Sequence, residues 1–155
     1  MIGAAALAVH GVSRSTLDQD LLVHDRRVLE PDFWISLTGE AVVDLRRGDS
    51  DDPLAGVVRV SQDSERLVDV VVGRHVWQQD VLARAVAIGD EPLLVVQRPD
   101  LILLKLYAGG SQDNWDIEQL LAVDSSAATL AAVDAHVALL PARSRDIWAS
   151  LRPRP

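Results

Sequence analysis

The sequence predicts an α+β domain. Two strand-like stretches, "AVVDL" and "AGVVRV", flank a polar turn from Gly48 to Pro53, and a third, "ERLVDVVVGR", follows at once between turn signals. Segments with helical spacing stand before and after these strands. With 155 residues, 48% of them hydrophobic, the chain can bury one sizeable core. The expectation is therefore a single domain over 1–155, with its core motifs in 2–122 and a helical segment over 123–150.

Each element has its own warrant. "GAAALAVHG" predicts a short helix from about Ala4 to His10, with Gly3 at its start and Gly11 as C-terminal cap. "VSRST" is a loop that feeds a strand over roughly 17–23. Pro31 opens something short that Gly39 closes. The hairpin strands return near 56–60, and "ERLVDVVVGR" is the next strand. "HVWQQDVLARAVAIGD" has Val76, Val81, Leu82 and Ala85 at helical spacing and is expected to stay helical to near Gly89. "EPLLVVQ" reads as a short buried strand. "RPDLILLKLYAGG" is a helix that begins after Pro99 and stops at Gly109-Gly110. "SQDNWDIEQLLAVD" is another, capped by Ser111 or Asp113, with Trp115, Ile117, Leu120 and Leu121 as its apolar stripe. One last alanine-rich helix is expected over about 125–140, followed by a frayed "RPRP".

Composition excludes several chemistries. There are no cysteines, so disulfides, thiolate zinc sites and cysteine nucleophiles are out, which suits a cytoplasmic protein. No apolar run approaches the roughly 18 residues of a membrane span. "MIGAAALAVHG" lacks a basic leader and is interrupted by His10 and Gly11, so no signal peptide is expected. The net charge of -8 opposes nonspecific binding to phosphate backbones. Local basic faces remain open: Arg26-Arg27, Arg46-Arg47 with Arg59, and Arg143, Arg145, Arg152 and Arg154. His10 reads as structural, and His24, His75 and His136 have no metal-ligand spacing. Trp34, Trp77, Trp115 and Trp148 read as core or interface packing.

The chemistry-bearing pattern is acidic. Asp18 and Asp20 lie two apart in a strand, so both carboxylates leave on one face. At roughly 4 Å such a pair repels by about 4 kcal/mol at an effective dielectric near 20. Asp69, in "LVDVVV", shares its face with Leu67 and Val71. If its strand lies beside the first, three carboxylates converge, a suitable set for Mg2+, which takes oxygen ligands and leaves positions open for substrate phosphates. Two such ions about 4 Å apart serve phosphoryl chemistry. Read alone, Asp69 is equally a salt-bridge partner for Arg59 or Arg74. Upstream, Gly3 and Ala4 stand at a helix start, where free N–H groups attract phosphate.

"GAAALAVHGVSRSTLDQDLLV" resembles the signature of the DNA polymerase beta-like nucleotidyltransferase superfamily. There a Gly-Gly or Gly-Ser helix start precedes an Asp-x-Asp strand, and a third acid lies on a later strand. "HGVSRST" and "RPDLILLKLYAGGSQDNWDIEQLL" resemble the bacterial abortive-infection and toxin–antitoxin nucleotidyltransferases. The resemblance spans roughly 2–122 and implies a minimal nucleotidyltransferase fold, a mixed sheet flanked by helices. It makes Gly3 and Ala4 the phosphate-cradling helix start and Asp18, Asp20 and Asp69 the metal ligands and catalytic acids. It brings Lys105, Asp113 and Asp116 into the active-site pattern, Lys105 reaching nucleotide phosphates. Arg14 and Thr16 match the phosphate-facing loop ahead of the acid pair. Ala4 departs from the commoner Gly or Ser. The chain also begins almost on the motif, so either a misassigned start or a trimmed domain, inclined to dimerise, is expected.

The resemblance implies a cytoplasmic, Mg2+-dependent enzyme, with Mn2+ as a substitute ion, that moves a nucleoside monophosphate from a nucleoside triphosphate to an acceptor. That acceptor is the 3′ end of a transfer RNA or the side chain of a partner protein, in a toxin–antitoxin or phage-defence setting. The rival is a binding protein of the same fold that acts by complex formation with a cognate toxin or antitoxin. A metal phosphoesterase is a third reading. On the residues alone, Lys105 is equally a snorkelling lysine, and Asp113 and Asp116 are helix-start acids favoured by the helix dipole.

Overall fold

A computed structural model describes residues 1–14, 18–37, 39–62, 66–89 and 93–153. The chain is α+β and divides into two compact units, one of Met1–Ala5 with Ser15–Val95 and one of Ala6–Arg14 with Val96–Pro155. Helix α1 (Gly3–Val9) contributes its first residues to one unit and the rest to the other.

The first unit is built on a mixed four-stranded sheet in the order β1-β4-β3-β2, from β1 (Asp18–Val23), β2 (Val42–Arg47), β3 (Gly56–Gln62) and β4 (Arg66–Val72). β1 runs parallel to β4; the other two pairings are antiparallel. The period-2 alternation of these strands sorts the sheet into two faces. Val58, Val70 and Val72 are buried on one face, with Leu21, Val23, Val43, Leu45, Val60 and Val68 packed around them and Val28 and Leu29 above. Val28 and Leu29 come from a 3-10 turn, Arg26–Leu29, that the sequence did not suggest, and a second 3-10 segment, Pro31–Leu37, is the short element that Pro31 opens. The other face carries the acids.

Helix α2 (Val76–Ala83) is shorter than its apolar spacing predicts. Its chain turns at Arg84, and Val86–Ala87 (β5) pairs antiparallel with Leu94–Val95 (β6). The β-branched Val86 and Val95 find a cross-strand partner in each other, a tertiary gain that a helical window cannot register. Of the expected buried strand "EPLLVVQ", Val95 and Val96 are buried while Leu94 is half exposed, and residues 90–92 lie outside the described residues.

The second unit is helical: α3 (Arg98–Ala108), α4 (Ser111–Val123), α5 (Ala127–Val137) and α6 (Ala142–Leu151). α3 packs against all three of the others. Its buried side chains include Leu101, Ile102, Leu103 and Leu106, and those of α4 include Ile117 and Leu120. Gly109 closes α3 in the left-handed conformation, φ 67°, that the Gly-Gly stop anticipates. The cap of α4 is Gly110 rather than Ser111 or Asp113, and Asp113 instead accepts a hydrogen bond from the Gly110 N–H at 3.1 Å. The helix expected over 125–140 is α5, and a further helix, α6, follows it after Pro141, which has no N–H to continue a helix and serves as the N-cap of α6. The tail is tied down at Arg152, which pairs with Asp134 at 2.8 Å. Trp148 is buried and Trp77 nearly so, whereas Trp115 is largely exposed. Among the described residues no helix is long and apolar enough to cross a membrane.

Candidate functional site

The register of the sheet sets one group of sequence-predicted residues. On β1 and β4, Asp20 stands opposite Asp69 and Asp18 opposite Leu67. β3 places Arg59 opposite Asp69, and β2 places Asp44 opposite Arg59. One row, Asp20–Asp69–Arg59–Asp44, therefore crosses all four strands on the face away from the apolar core. The condition under which the sequence makes the acids converge, β4 lying beside β1, is met, and the packing of Leu21 and Val23 on β1 and of Val68, Val70 and Val72 on β4 against the core leaves the acids on the other face.

Arg59 changes what that row can do. Its Nε donates to Asp69 Oδ1 at 2.9 Å and its Nη2 to Asp69 Oδ2 at 2.8 Å, a bidentate pair. The Asp69 side chain is 17% exposed and the Arg59 side chain 54%. The hydrogen bonds to Asp69 and the charges of Asp69, Asp18 and Asp44 raise the Arg59 pKa well above its ordinary value. So the cation that lowers the repulsion at Asp69 is a guanidinium of the chain itself. Of the two partners open to Asp69, Arg59 is the one it has. Arg74 bonds instead to the backbone carbonyls of Asp49, Ser50 and Leu54.

The start of α1 meets this row at Asp20. Ile2 N–H donates to the Asp20 carbonyl at 2.9 Å, and the Asp20 carboxyl lies in the space a Gly3 side chain would take. Gly3 has φ 63°, and Ala4 is buried. A small first residue at the helix start is thus required by a close approach within the chain, of carboxylate to backbone.

The remaining predicted residues form a second group, within the helical unit. Lys105 Nζ lies 2.9 Å from Asp113 Oδ1 and 2.7 Å from Asp116 Oδ2. Arg14 Nη1 reaches Asp116 Oδ2 at 3.2 Å, and Gln112 Nε2 donates to Asp116 Oδ1 at 3.2 Å. Asp116 is fully buried and the Lys105 side chain is 12% exposed, so Lys105 does not snorkel to the surface. Two basic and two acidic groups make a balanced, hydrogen-bonded network, the condition under which buried charge is tolerated. Thr16 lies outside the described residues. His10 is structural: its Nε2 bonds to the Val96 carbonyl at 2.8 Å, and its own carbonyl accepts from Arg98 at 3.0 Å.

No family model matches this chain, and no curated protein matches it.

Asp18 and Asp20 offer hard oxygen donors from one strand face, which suits a divalent cation. Asp69 accepts from Arg59 at both oxygens, so it joins such a donor set only through its remaining lone pairs and beside the positive charge of the guanidinium. Among the described residues no group of three carboxylate or imidazole side chains stands ready to hold an ion together. Sequence reading missed two members of these groups. Asp44 was findable only with the β2–β3 register in hand. Gln112 carries a signal, since it sits one helical turn before Asp116.

Proposed function

We propose that the chain is a Mg2+-dependent nucleotidyltransferase of the polymerase beta-like fold. The observation that carries this reading is the placement of Asp20 directly opposite Asp69 on parallel neighbouring strands, with the start of a helix closed down on Asp20. Under this reading Asp18 and Asp20 hold the metal, which when bound neutralises the triphosphate and activates the attacking oxygen. The acceptor oxygen forms a bond to the α-phosphorus while the bond to pyrophosphate breaks, and the acceptor proton passes to a base. Asp69 is that base in this reading, accepting the proton on a lone pair that the two Arg59 hydrogen bonds do not use. Lys105 has two of its three N–H donors on Asp113 and Asp116.

The acceptor in this reading is the 3′ end of a transfer RNA or the side chain of a partner protein. The decisive assay is Mg2+-dependent transfer of label from each α-labelled nucleoside triphosphate onto bulk RNA and onto protein, beside the Asp18→Asn, Asp20→Asn double variant. Label with one nucleotide on one acceptor, lost in the variant, is the expected result. Folded protein that binds Mg2+ yet transfers no label from any nucleotide sinks the reading.

The Arg59–Asp69 pair favours a second reading, a binding protein that acts by complex formation with a toxin or antitoxin partner. An internal guanidinium that satisfies the third acid removes the need for a metal to offset it. A partner complex that survives the Asp18→Asn, Asp20→Asn double variant supports this reading.

A further inference from the structure

The arginine pairs of the sequence separate once folded, and of their four guanidinium groups only Arg26 lacks a carboxylate partner among the described residues. Arg27 pairs with Asp25, Arg46 with Asp52, Arg47 with Glu30 and Arg59 with Asp69. Among the described residues Arg26 has no ion-pair or hydrogen-bond partner, and Arg74 has only backbone carbonyls. Arg26, Arg47 and Arg74 line one cavity of about 420 Å³ in the first unit, together with Leu29, Gly48 and Asp49. That volume is within the range of small-ligand sites, about 300–1,000 Å³.

The two acids at this cavity do not cancel the three arginines. Glu30 is spent on Arg47 at 2.8 Å. The Asp49 carboxylate turns back into its own loop, where Oδ1 accepts the N–H of Asp51 at 3.0 Å and of Asp52 at 3.1 Å. Arg74 donates to the carbonyls of Asp49, Ser50 and Leu54, which orient its guanidinium, and it makes no direct ion pair among the described residues. Arg26 is exposed and keeps its donors for something else. In a chain of net charge -8, an excess of positive charge gathered in one concavity is a selective feature.

We propose that this cavity is an anion site for a small phosphorylated ligand, with Arg26 closing on phosphate oxygens over a positive floor set by Arg74. Guanidinium suits this task because its planar fork matches two phosphate oxygens at once. The proposal does not depend on the nucleotidyltransferase reading, since it uses none of the row Asp20–Asp69–Arg59–Asp44.

The test follows backbone amide shifts of the full chain by NMR, with EDTA present so that no metal holds phosphate at the carboxylates. The probes are inorganic pyrophosphate and, in parallel, ribose 5-phosphate. Saturable shifts at Arg26, Arg47 to Ser50 and Arg74 are expected, and the tighter probe tells whether the ligand extends beyond its phosphates. Arg26→Gln is expected to weaken binding about tenfold, the loss of a charged hydrogen bond. Arg27→Gln removes the same charge one residue away and should leave binding unchanged. Absence of saturation with both probes overturns the proposal, as does equal weakening by the two variants. Shifts produced by single-stranded RNA but by neither small probe overturn it too, in favour of a nucleic-acid surface.

Discussion

The Asp20 carboxyl group occupies the position a side chain on Gly3 would need: a Cβ there would lie 2.6 Å from Asp20 Cγ and 2.7 Å from Asp20 Cβ. Gly3 is also left-handed, at φ 63°. Gly3→Ala therefore combines about 1–2 kcal/mol of backbone strain with an overpacking cost of about 1–3 kcal/mol. A loss of roughly 2–5 kcal/mol in urea unfolding is expected. Ala4→Gly, which removes only a buried methyl group, should cost about 1 kcal/mol. Equal effects at the two positions would show that the contact between Gly3 and Asp20 does not govern the entry to α1.

Arg59 donates to both oxygens of Asp69, so its positive charge opposes a divalent cation there. Arg59→Ala frees that carboxylate beside Asp20 and should tighten Mn2+ binding severalfold, read by paramagnetic broadening of amides on β1 and β4. The Asp69→Asn, Arg59→Ala double variant should return binding to the level of Asp69→Asn alone. Unchanged affinity in Arg59→Ala would mean that Asp69 takes no part in cation binding.

The Lys105–Asp113–Asp116 network is a second target. Removing one partner of a buried pair typically costs about 3–5 kcal/mol. Asp116→Ala should fall near the low end, about 3 kcal/mol, because Asp113 stays on Lys105 at 2.9 Å. Chemical denaturation gives this number directly. If Asp116→Ala unfolds at the same midpoint as the parent while activity is lost, the network serves chemistry and not stability.

Acid should loosen the helical unit. Asp124 is pulled well below its ordinary 3.8 by hydrogen bonds from the Thr129 hydroxyl and the Ser126 N–H, with the charge of Arg98 adding to them. Asp134 is lowered by the hydrogen bond from Arg152 and, less, by that from Trp148. A carboxylate whose folded pKa lies below its unfolded one binds fewer protons when folded, so its stabilising contribution is complete above the unfolded value. That contribution disappears as the pH falls below about 4 toward the folded pKa. Helical circular dichroism under denaturant, followed from pH 6 to pH 2, should show stability dropping below pH 4. Asp124→Asn should flatten that drop, and a slope that survives both Asp124→Asn and Asp134→Asn would assign the acid sensitivity elsewhere.

How much of this was legible follows from the range of the forces involved. Period-2 alternation is local, so the common face of Asp18 and Asp20 and the apolar face of β4 could be read from the chain. Gly109 and Pro99 punctuate α3 through their own backbone chemistry: the stop at Gly109 matches the structure, whereas the helix starts at Arg98 and takes Pro99 into its first turn. Asp113 and Asp116 share a helix face by spacing alone. The stop of α2 at Ala83 was not legible, since Val86 leaves the helix for a partner, Val95, that no local window contains. Register and partner choice belong to the tertiary structure. Whether Asp69 faced Arg59 or Arg74 turned on strand pairing, and only the folded sheet puts Arg59 across from it while the loop carbonyls take Arg74. Arg14 and Asp116 are 102 residues apart in sequence and meet because folding a compact unit closes that distance. Local sterics and solvation thus set the elements and their faces. The pairing of each charge was decided by packing, because a buried or half-buried charge takes whichever opposite group the closed fold brings within hydrogen-bond reach.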